Sequence, residues 1–324
     1  MPTTSTLTVP LENPIPSPLL SVITVIQLVY GIPSVLLMVF FLFFLGFSKN
    51  YTHSFYRLVQ MDLFINIFCY LNTWFALRLD KHSTGIWILK SIEIMLPGLL
   101  DWSTILMGFF MHMQFCSAAA LNLHRVTSTV YYTSNEQTWT RYYPLFALFC
   151  ICYSILPIPL SDKYFHVHVT NGSLMGTYYQ EAAELANHQA ACFSAIYFII
   201  LLLIGVYTYV IVTKKVQALN IDAAEISKKL TRIALTYSVI YLGILSWSIF
   251  GSLNRFFSWV PDLSYHLNST ILTFCLDVVV LALPYILLIQ DSNVRRDLGS
   301  FFHKQEVSGT TRNFVDSSTR VCVF

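Results

Sequence analysis

Leu36-Leu37-Met38-Val39-Phe40-Phe41-Leu42-Phe43-Phe44-Leu45 closes an apolar stretch that begins at Leu19 and holds almost nothing that water would solvate. At 1.5 Å per residue, Leu19–Leu45 is long enough to cross a hydrocarbon core of ~30 Å. Six more stretches of comparable length follow: Phe55–Leu77, Gly98–Val126, Tyr142–Leu160, His188–Val212, Thr231–Leu253 and Leu267–Ile289. A bilayer offers no water to backbone N–H and C=O groups, so each stretch must bond to itself as a helix. The expected fold class is all-α, a seven-transmembrane helix bundle with a short amphipathic helix after the last span. Composition agrees: 55% of the 324 residues are hydrophobic, 11% are charged, and the mean hydropathy is +0.60. A soluble domain does not look like this.

An odd number of spans puts the two ends of the chain on opposite sides of the membrane. With the N-terminus outside, 14 of the 19 Lys and Arg residues fall on the inner side. That excess marks the cytoplasmic face. The expected organisation is an outer tail over 1–18, the bundle over 19–289, a membrane-surface helix over 290–303 and a disordered inner tail over 304–324. The outer tail holds no Lys or Arg and clusters Pro14, Pro16 and Pro18, so it reads as unstructured and not as a cleaved signal peptide. Asn171-Gly172-Ser173 is a glycosylation sequon on the outer segment 161–187, the position at which sugar is expected. None of the seven cysteines lies in an outer loop, and no loop disulfide is expected. His166 and His168 at i, i+2 are too few to specify a metal site.

Ionisable groups inside a span are functional candidates because burying them is costly. On the second span Asp62, Asn66, Cys69 and Thr73 share one face. On the seventh, Thr270, Thr273, Asp277 and Pro284 do the same. Two polar stripes facing one interior suit a shared proton, a sodium ion or ordered water, or simply fix helix packing. On the third span Asp101 stands near the outer end and His112 about three turns deeper. That placement suits a ligand pocket open to the outside. The third inner loop alternates Lys214, Lys215, Lys228 and Lys229 with Val216, Leu219 and Ile226, as a charged helical extension would. After the seventh span Val294, Leu298, Phe301 and Phe302 recur at helical spacing, with Arg295 and Arg296 toward the headgroups.

Three motifs carry a family resemblance. They are Leu121-Asn122-Leu123-His124-Arg125-Val126-Thr127-Ser128 at the end of the third span, Phe55-Tyr56-Arg57 through Asp62 with Tyr70–Trp74 in the second, and Leu283-Pro284-Tyr285 through Arg295-Arg296-Asp297 at the seventh. Together they resemble the nematode serpentine receptor class gamma chemoreceptors over roughly residues 20–300. The resemblance implies a G protein-coupled chemosensory receptor. Its partners would be an extracellular small molecule, a heterotrimeric G protein and the bilayer, with no nucleic acid and no cofactor. The G-protein face would then comprise Arg125, Lys214, Lys215, Lys228, Lys229, Arg295 and Arg296. Against the rhodopsin-like receptors at large, Arg125 stands where their Asp/Glu-Arg-Tyr arginine does, but His124 replaces the acid. Any inactive-state lock on Arg125 must therefore use other groups. Pro284 and Tyr285 are adjacent, the sixth span lacks a proline, and the third span has no outer cysteine.

A transporter or ligand-gated channel using the Asp62 and Asp277 stripes is the alternative, though no internal repeat supports it. An enzyme is not expected, since no span holds a His-x-x-x-His or comparable cluster. A Schiff-base photoreceptor would need a lysine inside a span, and none has one.

Overall fold

Helix α1 (Pro18–Phe47) takes up the whole opening apolar run. The computed structural model describes residues 6–11, 18–81, 83–131, 135–157, 165–216, 221–257 and 265–307. The other spanning helices are α2 (Ser54–Leu77), α4 (Leu99–Val130), α5 (Asn135–Ile155), α6 (Gln180–Val216), α7 (Ile221–Phe257) and α8 (Tyr265–Gln290). Together they form the seven-helix bundle of an integral, multi-pass membrane protein. Two further helices lie outside the count. Helix α3 (Ser83–Met95) is too short to cross, and α9 (Ser292–Val307) is the amphipathic helix expected after the last span, prolonged by four residues. Both flanks of the α6–α7 connection stay helical beyond the expected spans, and residues 217–220 between them lie outside the described residues.

Among the described residues, five helices are long and apolar enough to cross a membrane on their own composition. Helices α2 and α5 are not, for different reasons. Helix α2 is central and buries Asp62, Asn66, Asn72 and Thr73. Helix α5 begins with the polar run Asn135-Glu136-Gln137-Thr138. The lipid-facing surface is plain elsewhere: Val29, Leu145, Phe149, Ile199 and Leu203 stand open on the outer faces of their helices. Packed patches of that kind on a protein in water would drive aggregation. Inside, α4 packs against α2, α5, α6 and α7, and Ala118 and Ala120 let its neighbours approach closely.

One end of the bundle carries a three-stranded antiparallel sheet, ordered β1 (Thr6–Pro10), β3 (Ser173–Tyr179), β2 (Phe165–Thr170). The sequence reading held residues 1–18 as an unstructured tail and 161–187 as a loop, and the sheet corrects both. Thr6–Pro10 pairs along the edge of β3, from Thr6 opposite Tyr179 to Pro10 opposite Met175. Residues 1–5 and 12–17 lie outside the described residues, as do 308–324 of the expected C-terminal tail. The β2–β3 turn is made by Asn171 (φ 52°) and Gly172 (φ 77°). Two consecutive left-handed residues are what a two-residue hairpin turn requires, and Asn-Gly suits it best.

The sheet rests on a small apolar cluster of Ile86 and Leu89 from α3, Leu100 from α4, Val167 and Leu174. Asp101, in the first turn of α4, fastens it there. One carboxylate oxygen accepts the Val167 backbone N–H at 2.9 Å and the other meets His166 Nδ1 at 2.5 Å. Replacing Asp101 with Ala would leave a buried N–H unpaired, at a cost of about 2 kcal/mol. Amide exchange in 165–170 and 173–179 should then speed up roughly tenfold or more, while the middle of α4 is unchanged.

Candidate functional site

At the end of the bundle opposite the sheet, Arg125 is buried in the last turns of α4, 3% exposed, with its guanidinium 4.4 Å over the Phe55 ring. Its Nη2 donates to His124 Nδ1 at 2.6 Å. Accepting there fixes the His124 tautomer: the ring is neutral and its proton sits on Nε2. Nε2 lies 2.6 Å from Ser54 Oγ, and Ser54 Oγ donates to Glu136 Oε2 at 2.6 Å. The Ser54 backbone N–H donates to Glu136 Oε1 at 2.7 Å, and His53 Nε2 meets Oε2 at 3.0 Å. The missing acid next to Arg125 is thus supplied at a distance. A chain of donors runs from Arg125 through His124 and Ser54 to the carboxylate of Glu136.

This relay joins three elements: the start of α2, the end of α4 and the start of α5. Local chemistry explains the start of α2. His53 is its N-cap, with Nδ1 accepting the Phe55 N–H at 3.3 Å. The ligand atoms of His53, His124 and Glu136 all lie within 4.8 Å of one another, close enough to prompt the question of a metal. The tautomers answer against one in this arrangement. Both histidines use Nδ1 as acceptor, so Nε2 carries the proton and offers no lone pair. Nothing in the sequence pointed to Glu136, Ser54 or His53; they stand at helix starts outside the apolar spans, and their meeting is a tertiary fact.

The sequence grouped Asp62, Asn66, Thr273 and Asp277, and the structure gives them two separate sets of partners. Asp62 accepts from Asn66 Nδ2 at 2.7 Å and from the Tyr237 hydroxyl at 3.1 Å, and Asn66 in turn accepts from Gln114 at 2.8 Å. That cluster ties α2 to α4 and α7 at mid-bundle. Asp277 instead pairs with Arg78 at the end of α2 and accepts from the Tyr30 hydroxyl of α1. Thr273, one turn away, accepts from Gln27 at 3.0 Å. Asp101 and His112 are likewise apart: Asp101 holds the hairpin, and His112 bonds the Tyr197 hydroxyl and sits edge-on to Phe193, ring centroids 4.8 Å apart. Asn171 is exposed at the tip of the hairpin turn.

The basic residues near Arg125 do not form one uniform face. Lys229 is ion-paired with Asp291 at 2.8 Å, and Asp291 also accepts from the Tyr56 hydroxyl and caps α9 through the Asn293 and Val294 N–H groups. Arg295 covers the last carbonyls of α8, at Leu288 and Ile289. Lys214, Lys228 and Arg296 are exposed, with Lys215 in the same last turn of α6 as Lys214.

Residues 24–298 match the family model described as Srg family chemoreceptor. The chain is 34% identical over 285 residues to serpentine receptor class gamma-47 of Caenorhabditis elegans, covering 85% of this chain and 89% of that one. To serpentine receptor class gamma-53 of the same organism it is 27% identical, covering 84% and 90%. The crystal structure of squid rhodopsin superposes with a TM-score of 0.64 at 12% identity, covering 93% of this chain and 90% of that one, a likeness of fold.

Burial alone would raise the Glu136 carboxyl, but hydrogen bonds from His53 and Ser54 outweigh it and hold the group down at about 2. Its folded value lies below the ordinary carboxylate range, so the stabilisation it gives is complete above that range and is lost as pH falls toward about 2. An infrared difference titration of wild type against Glu136→Gln should therefore show an ionised carboxylate band persisting to about pH 3. A band that disappears near pH 4.5, the ordinary glutamate range, would mean the relay is not formed.

Proposed function

We propose that this chain, which belongs to the Srg family of chemoreceptors, is a G protein-coupled chemosensory receptor of the plasma membrane. It binds a small molecule between its helices from the outside and passes the signal to a heterotrimeric G protein. The sheet end faces outward and the α9 end faces the cytoplasm, in keeping with the excess of Lys and Arg at the latter. The observation that carries the reading is the relay holding Arg125. A guanidinium joined through a neutral histidine and Ser54 to Glu136 is held by a chain that spans three helices, so their relative movement changes its hold.

Release follows from geometry. Ser54, His124 and Glu136 belong to three elements, and moving any one of these breaks the chain of hydrogen bonds. A ligand that prefers the rearranged bundle shifts the population toward it by its difference in affinity for the two states. Arg125 then turns to the partner, flanked by the exposed Lys214, Lys228 and Arg296 and by Lys215. Lys229 and Arg295 serve the partner indirectly, by fixing α9 to α7 and α8. On the outer side Asp101 anchors the hairpin over the mouth of the bundle, and His112 lies among aromatic rings deeper in. Asn171 carries sugar in this orientation. The receptor reading is favoured over transport because Asp62 and Asp277 belong to separate clusters, Asp62 bonded by Asn66 of its own helix and Tyr237 of α7, and Asp277 by Arg78 and Tyr30.

Proximity to a panel of Gα subunits in a membrane tests the coupling. Arg125→Ala should abolish association at unchanged surface level. Glu136→Gln should raise basal signalling about fivefold, the effect of removing a coupling of about 1 kcal/mol. A panel that stays silent for wild type and Glu136→Gln alike would rule out this mechanism. Separately, Asn171→Gln should remove a glycosidase-sensitive mobility shift; the absence of any such shift in wild type would count against the outward sheet.

A further inference from the structure

Asp291 lies between α8 and α9, fully buried, and collects donors from three helices. Its Oδ1 takes the Lys229 ammonium of α7 at 2.8 Å and the N–H groups of Asn293 and Val294, in the first turn of α9, at 3.0 and 3.3 Å. Its Oδ2 accepts from the Tyr56 hydroxyl of α2 at 2.7 Å. The Lys229 side chain is 14% exposed and makes no other polar contact among the described residues. Further along α7, three consecutive side chains are tied to three different helices. Thr236 accepts from Gln290 of α8 at 2.9 Å, Tyr237 donates to Asp62 of α2 at 3.1 Å, and Ser238 accepts from Asn122 of α4 at 2.5 Å. Between that belt and the α9 end of the bundle, Ile233 and Ala234 pack on the core. There, Lys229–Asp291 is the one polar side-chain contact of α7 to a neighbouring element among the described residues.

We propose that residues 221–235 of α7 form a lever hinged at Thr236–Ser238, and that the Lys229–Asp291 pair is the latch that holds it closed in the resting receptor. What each partner keeps after separation decides this. Parting a buried ion pair normally strands a charge. Asp291 avoids that, because the Tyr56 hydroxyl and two N–H groups of α9 stay with it. Lys229 stands just outside the apolar run Thr231–Phe250 and beside the exposed Lys228, so a small outward turn delivers its ammonium to water. The latch is also joined to Arg125. Three successive residues at the start of α2 divide the contacts: Ser54 bonds Glu136, the Phe55 ring lies under the Arg125 guanidinium, and Tyr56 bonds Asp291. A shift of this turn disturbs both sets of bonds, so relay and latch open together. The inference rests on the receptor reading for its use, since the opened lever is what widens the cytoplasmic end for a partner.

The test uses the purified full chain in nanodiscs of neutral phospholipid, with no G protein present. Spin labels are carried on unnatural amino acids at Thr52 and Lys228, both exposed at the α9 end, and their separation is read by pulsed electron resonance. Lys229→Gln and Asp291→Asn, the second of which keeps an acceptor for Tyr56 and for α9, should each raise the ratio of long to short distances about fivefold or more. Lys229→Arg, which keeps the charge, should stay near wild type. Glu136→Gln should raise the same ratio, and combined with Lys229→Gln it should add less than the two effects multiplied. A check needs no variant: a water-soluble acylating reagent should modify Lys228 of the wild type about tenfold faster than Lys229. The proposal is overturned by distances that neither single variant changes, by Lys229→Arg opening as far as Lys229→Gln, by Glu136→Gln leaving the ratio as it was, or by equal acylation of the two lysines. Opening without any Gα response would sink the receptor reading alone; a Gα response without opening would sink only this inference.

Discussion

Two guanidinium groups withdrawn from water set the terms for the rest of this bundle. An isolated charge in a low-dielectric interior is strongly unfavourable, so each arginine must bring its own compensation. Arg78 does so directly, against the carboxylate of Asp277 and between two aromatic rings. Arg125 does so indirectly, against a neutral imidazole whose far nitrogen passes the demand through Ser54 to Glu136. A direct ion pair resists separation over a broad range of motion. A chain of short hydrogen bonds fails as soon as one link lengthens. The same problem, solved twice, gives one fixed joint and one that opens.

Much of the architecture was legible because helix information is local. The spans, the amphipathic α9 and the burial of Asp62 and Asp277 follow from runs and periods within single segments. What escaped was information held between segments. Arg78 directly follows the expected span Phe55–Leu77, where a basic residue normally reaches the headgroups, and nothing local reveals Asp277 waiting across the bundle. Grouping Asp62 with Asp277 failed for a related reason. Both face inward, but facing inward does not fix depth or neighbour. The hairpin was readable in principle: Asn171-Gly172 follows the alternating Phe165-His166-Val167-His168-Val169. The sequon drew attention to the same residues for another purpose.

The likeness to squid rhodopsin survives at 12% identity because packing demands, not particular side chains, define such a bundle. Local substitutions show how. Tyr285, adjacent to Pro284, reaches across to Ser34 of α1 at 2.7 Å and helps hold α8 in place. Asn122 bonds Ser238 of α7 at 2.5 Å, a cross-link between α7 and the helix that carries Arg125. Tyr51 and Asn50, in the short connection after α1, both donate to Asp297 and pin α9 against the bundle. Each contact is a polar clasp between neighbouring helices, and the set replaces motifs that are absent here.

The hairpin at the sheet end of the bundle is held by Asp101 through noncovalent bonds, and the described cysteines are all free thiols. Such a tether has no redox requirement. Among the described residues, no cross-link has to be oxidised or sorted for the hairpin to dock. Attachment is also an equilibrium that is made and broken on the timescale of side-chain motion, whereas a disulfide is set once during maturation. The hairpin's attachment can therefore yield to a change around Asp101, which a covalent bridge would resist.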